Sequence, residues 1–87
     1  MATVEVTVEL DRLDLTDATS ARPVTGRHVD NLQGLLLATR RPEFDPGPID
    51  GQAGDRTKRA LREFKRQNDL TADFIVGPRT WEKLIEF

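Results

Sequence analysis

The stretch IDGQAGDRTKRALREFKRQ, residues 49–67, passes from a glycine-rich turn into a basic helix, and DFIVGPRTWEKLIEF, residues 73–87, repeats its grammar. Asp50, Gly54, Thr57 and Leu61 recur 23 positions later as Asp73, Gly77, Thr80 and Leu84. In each copy the aspartate can accept backbone N–H bonds within the turn, the glycine permits a positive φ or a close backbone approach, and the threonine falls in the first helical turn. Two loop-to-helix turns therefore share one design, and they place two helices. One starts after Gly54, with Asp55 as cap and Thr57, Ala60, Leu61 and Phe64 as its buried stripe, and ends near Asn68. The other opens at Pro78, which suits a first helical position, and turns Trp81, Leu84 and Ile85 inward.

Working back toward the N-terminus, GRHVDNLQGLLLATR carries Val29, Leu32, Leu35 and Leu36 on one helical face. Thr25 is its expected N-cap, and Asp30 suits the positive end of the dipole. The helix should stop before Pro42, because TRRPEFDPGPIDG holds three prolines and two glycines. Residues 3–10, TVEVTVEL, alternate strictly, the period-2 signature of a half-buried strand. Leu13 and Leu15 follow one residue out of phase, which predicts a bulge or break near Asp11 and Arg12. A single strand needs a partner, either the returning segment ARPVT or another chain. The expected architecture is mainly α, a compact three-helix bundle over residues 25–87, with residues 1–24 as an N-terminal β extension, strand or hairpin, and connector.

Composition limits what such a chain can do. At 87 residues there is room for one small core, and the absence of cysteine removes disulfides, thiolate metal sites and thiol nucleophiles. Thirteen Lys and Arg against 15 Asp and Glu leave a formal net charge of −2, without the basic excess that drives binding to phosphate backbones. Nucleic acid is thus an unfavoured partner. No run approaches the roughly 18 apolar residues needed to span a bilayer, so no membrane segment is expected. The N-terminus lacks a basic region followed by an apolar one, so the ordinary secretory route is not encoded if the chain is complete.

The raw material for catalysis is equally thin. His28 is the only histidine, Ser20 the only serine, and cysteine and tyrosine are absent, so a Ser-His-Asp or Cys-His nucleophilic site has almost no raw material, and there is no second histidine for zinc. His28, in the first turn of the first helix, reads as a solvated or capping residue. Asp45 and Asp50 flank a proline-glycine turn and Asp11, Asp14 and Asp17 are spaced by three, but neither set has the spacing of a calcium loop or a defined acid-base pair. No catalytic residue, metal or cofactor is assigned. Lys58, Arg62, Lys65 and Arg66 share one helix face, read as a solvated face balanced by Glu63 and Asp69 because no aromatic residues interleave it for base stacking.

The run from Gly26 to Leu84 resembles the peptidoglycan-binding domain-like family, whose pattern is G-x-x-V-x-x-LQ-x-LL, then DG-x-x-G-x-x-T-x-x-A-hydrophobic-x-x-FQ, then GL-x-x-DG-x-V-G-x-x-TW-x-x-L. The positions that carry the likeness include Val29, Leu32, Gln33, Leu35, Leu36, Asp50, Gly51, Gly54, Thr57, Ala60, Phe64, Leu70, Asp73, Val76, Gly77, Thr80, Trp81 and Leu84. Three positions depart: Lys65 stands for the glutamine after the phenylalanine, Asp69 for the glycine before the leucine, and Phe74 for the glycine of the second Asp-Gly pair. The resemblance implies three helices joined by two aspartate-glycine loops, in a non-catalytic targeting module of the kind usually attached to cell-wall hydrolases or other envelope proteins.

Candidate ligand contacts are the polar residues at the loop mouths and helix starts: Asp50, Gln52, Arg56, Asp73 and Arg79, with Gln33 facing them if the bundle closes as the family does. Converging loops and helix N-termini suit peptide carboxylates or acetamido groups. Trp81, on an inward face, reads as core rather than as a sugar-stacking ring. The leading expectation is therefore binding of bacterial peptidoglycan, through either glycan or stem peptide, in the cell envelope or outside the cell. The alternative is a structural adaptor in a protein assembly such as a phage tail or contractile injection particle, cytoplasmic or particle-associated, which joins a protein partner or its own copy through the strand that opens at Thr3 and closes at Leu10.

Overall fold

The computed structural model describes residues 12–87, and three helices occur in the predicted order: α1 (Arg27–Ala38), α2 (Asp55–Gln67) and α3 (Pro78–Glu86). The strand expected over residues 3–10 lies outside the described residues. Two-residue strands complete the frame: β1 (Leu13–Asp14), β2 (Val24–Thr25), β3 (Gln52–Ala53) and β4 (Ile75–Val76).

Each loop of the repeat carries one of these strands, and each is paired antiparallel from the N-terminal side. Val24 and Thr25 lie opposite Ala53 and Gln52, and Leu13 and Asp14 lie opposite Val76 and Ile75. The repeat extends even to the next hydrogen bond. The N–H of Gly26 donates to the Gly51 carbonyl at 3.2 Å, and that of Leu15 donates to the Phe74 carbonyl at 2.8 Å. Gly51 and Phe74 are themselves 23 positions apart.

The helix stripes form the core. Val29, Leu32 and Leu36 of α1 meet Ala60, Leu61 and Phe64 of α2, with Trp81 and Leu84 from α3. Each large apolar side chain so buried contributes roughly 1.5–3 kcal/mol of transfer free energy. Trp81 is 1% exposed, so it is a core residue as expected. His28 is half-buried against it, with ring centroids 6.4 Å apart, rather than solvated or capping.

Several local expectations are corrected. Gly26, not Thr25, caps α1: its φ of 140° turns the chain from β2 into the helix, while Thr25 stays in the strand. Gly54 holds the cap position of α2, and Asp55 lies in its first turn, where its carboxylate accepts a bond from Ser20 Oγ at 3.1 Å. Ile85 is 53% exposed, because Thr80, Trp81 and Leu84 already define the inward face of α3. The proline-rich link after α1 includes a 3-10 turn at Pro42–Phe44 that drives Phe44 into the core, edge-on to Phe64 with centroids 5.2 Å apart.

The connector also joins the core. Leu15 and Ala18 are fully buried, and Lys58 of α2 donates from Nζ to the carbonyls of Thr16 (3.0 Å) and Ala18 (2.9 Å). Packing therefore crosses the division of sequence pattern at residue 24.

Candidate functional site

Gln33, one residue after Leu32 on α1, organises the first loop from beneath at 1% exposure. Its Oε1 accepts the N–H groups of Asp50 and Gly51, both at 3.1 Å. Its Nε2 donates to Asp50 Oδ1 (3.3 Å), the Gln52 carbonyl (3.1 Å) and Thr57 Oγ1 (3.1 Å). Thr57 in turn donates its hydroxyl proton to the Pro46 carbonyl at 3.1 Å. A carboxamide has two N–H donors and two lone pairs, so Gln33 is fully used inside the fold.

Lys65, one residue after Phe64 on α2, does the corresponding work in the second loop. Its Nζ donates to Asp73 Oδ1 and to the Ile75 carbonyl, the latter at 2.6 Å. These acceptors are the 23-residue counterparts of Asp50 Oδ1 and the Gln52 carbonyl. Both aspartates close the same turn, Asp50 Oδ1 accepting from the Gln52 N–H at 2.9 Å and Asp73 Oδ1 from the Ile75 N–H at 3.1 Å. The hydrogen bond from Lys65 holds the Asp73 carboxyl below the usual carboxylate range; partial burial opposes it and the Ile75 N–H adds to it.

The basic face read along α2 is thus divided. Lys65, with a side chain only 6% exposed, is an internal strut, and Lys58 anchors the connector, while Arg62 and Arg66 remain outside. Sequence reading missed Lys65 because helical spacing aligns it with surface cations. The signal that could have found it is the repeat, since it follows Phe64 as Gln33 follows Leu32.

Backbone geometry accounts for the two loop substitutions. Gly51 has φ 72°, and a Cβ there would sit 3.0 Å from Asp30 Oδ1, so glycine is required. Its counterpart Phe74 does not adopt a positive φ, which frees the position to carry a ring; the ring packs on the core and lies 4.5 Å below Lys58 Nζ. Asp69 follows the C-terminus of α2 at φ 60°, the left-handed conformation that Asp tolerates better than most residues, and the Leu70 N–H returns to the Lys65 carbonyl at 2.9 Å.

The six expected site residues fall into two groups. Gln33, Asp50, Gln52 and Arg56 border one hollow of about 190 Å³, and Asp73 and Arg79 border another of about 310 Å³. The two are related by the repeat: Gly54, Arg56 and Thr57 at the first correspond to Gly77, Arg79 and Thr80 at the second. They lie toward opposite ends of α2, since Arg56 and Lys65 are separated by about 13 Å of helix rise. Among the described residues no group of His, Cys, Asp and Glu is placed to hold a metal ion, and no helix is long and apolar enough to cross a membrane.

Two comparisons with known proteins agree with this arrangement. The crystal structure of the SleB N-terminal domain matches with a TM-score of 0.70 and 26% sequence identity, over 90% of this chain and 93% of that one. No curated protein matches. The model of the family described as "Putative peptidoglycan binding domain" matches residues 25–84, a span that holds α1 and both loop-to-helix repeats, and the chain belongs to that family.

Proposed function

We propose that this chain is a non-catalytic module that binds the peptidoglycan of the bacterial cell wall. The observation that carries the reading is the family match over residues 25–84 together with the intact pair of strut-supported loops that the match spans. Residues 25–87 form the binding unit in this reading, with residues 1–24 as an extension whose Leu15 and Ala18 pack onto it. The contacts come from Asp50, Gln52 and Arg56 at the first mouth and Asp73 and Arg79 at the second. Gln33, whose donors and acceptors are spent on the loop, positions these groups rather than touching ligand. A single histidine and serine, with no cysteine, give the chain little means to cleave what it binds. Its place of action is the cell envelope or the extracellular side of it. Sedimentation with insoluble sacculi tests the proposal: the chain should enter the pellet in a saturable manner, and a chain left wholly in the supernatant would remove it.

A further inference from the structure

The two mouths are alike in scaffold and unlike in what they leave uncommitted. At the first, Arg56 pairs with Asp45 at 3.2 Å, Thr57 is hydrogen-bonded on both sides, and Ser20 Oγ accepts the Asp55 N–H at 3.4 Å where α2 begins. At the second, no carboxylate among the described residues pairs with Arg79. α3 begins at Pro78, which has no N–H to cap, and the N–H groups of Arg79 and Thr80, like those of Arg56 and Thr57 in α2, meet no acceptor among the described residues. Thr80 is 3% exposed and lines the hollow, yet its hydroxyl has no partner among the described residues, whereas that of its counterpart Thr57 has two. The Thr80 oxygen is not closed off from solvent, since His28 Nδ1 is the buried side-chain N or O left without a partner among the described residues, so the hydroxyl is free to meet a group that enters the hollow.

We propose that the hollow at the start of α3 is a carboxylate-binding subsite, which receives a peptide carboxylate through the Arg79 guanidinium, the Thr80 hydroxyl and the two backbone N–H groups. An ionised acceptor gains most from such a set, since guanidinium and helix N-terminal N–H groups both favour negative charge. Asp69 and Asp73 border the same hollow. Lys65 neutralises Asp73, and the charge of Asp69 disfavours a polyanion while suiting a carboxylate with an ammonium group nearby, as amino-acid side branches offer. The inference rests on the proposed function and names the part of the polymer that this mouth reads: stem peptide rather than glycan.

The test is an amide-shift titration of the full ¹⁵N-labelled chain with muropeptides released from sacculi, in one arm with free stem-peptide carboxylates and in the other with those carboxylates amidated. With free carboxylates the largest shifts should fall on the Arg79 and Thr80 N–H groups, and amidation should weaken binding roughly tenfold, the loss of about one charge-assisted hydrogen bond. Thr80→Val should weaken the free-carboxylate arm severalfold without lowering the urea midpoint. Equal affinity in the two arms, or shifts centred on Gln52 and Arg56, would overturn the subsite while sacculus binding kept the broader reading alive. Absence of binding to both muropeptides and sacculi overturns both.

Discussion

The first loop is held by a neutral carboxamide and the second by an ammonium ion, yet both struts reach the same two acceptors of their loops. The geometry of the turn is thus set by where donors point, and the charge of the donor is free to vary. What differs is the surrounding stock of polar groups. Gln33 is satisfied through five contacts that include Thr57, while Lys65, which has no acceptor lone pair, leaves the N–H groups of its loop and the hydroxyl of Thr80 to other partners. Replacing glutamine by lysine keeps the fold and changes what the mouth can offer a ligand.

Breaking the first strut should have the largest effect. Gln33→Leu keeps much of the volume but strands the Asp50 and Gly51 N–H groups and Thr57, and should lower unfolding free energy by about 3 kcal/mol in urea titration. Lys65→Met should cost less, about 2 kcal/mol, because Asp73 is 43% exposed and water can rehydrate the carboxylate that loses its partner. A larger loss for Lys65→Met than for Gln33→Leu would mean that charge, rather than the number of satisfied groups, dominates.

The second strut also makes stability depend on pH. Because the folded Asp73 carboxyl titrates below its unfolded value, its contribution is fully present above about pH 3.9 and is lost as pH falls through the lower folded pKa. Urea midpoints followed down from pH 6 should fall more steeply for the wild type than for Lys65→Met, and parallel curves would show that the Lys65–Asp73 link contributes nothing.

The threonines sharpen the comparison further. Thr57→Val should cost about 1–2 kcal/mol through the lost bonds to Gln33 and Pro46, whereas Thr80→Val should be within about 0.5 kcal/mol of neutral, since no bond to a described residue is lost. Equal costs would show that Thr80 has an internal partner after all. A small effect of opposite sign is expected at Asp69: glycine there relieves a left-handed conformation and should raise stability by roughly 0.5–1 kcal/mol, read from the same titrations.

Much of this fold is written locally. The stripes of α1 and α2 were legible because every buried position obeys one helical period, and the repeat showed where α2 and α3 begin. The contributions of Leu15, Ala18 and Phe44 were not, because isolated apolar residues among prolines, aspartates and threonines have no period, and only pairing with distant segments buries them. The same holds for the site. Asp50, Gln52 and Arg56 were readable as one cluster from chain proximity, but the separation of Asp73 and Arg79 into a second hollow depends on the length of α2. Lys65 and Thr80 were hidden for a different reason: the one has a residue type that suggests surface and the other reads only as a first-turn threonine, and the comparison with Gln33 and Thr57 shows the first to be committed and the second uncommitted among the described residues.

The most direct test of the account is sacculus retention measured side by side for the wild type, Arg56→Ala and Arg79→Ala, with urea midpoints confirming that all three are folded. The account predicts that the wild type sediments with the wall and that Arg79→Ala weakens retention more than Arg56→Ala, because Arg79 has no pairing carboxylate among the described residues while Arg56 is paired with Asp45. A wild-type chain that stays in the supernatant, or a loss seen only with Arg56→Ala, would contradict it.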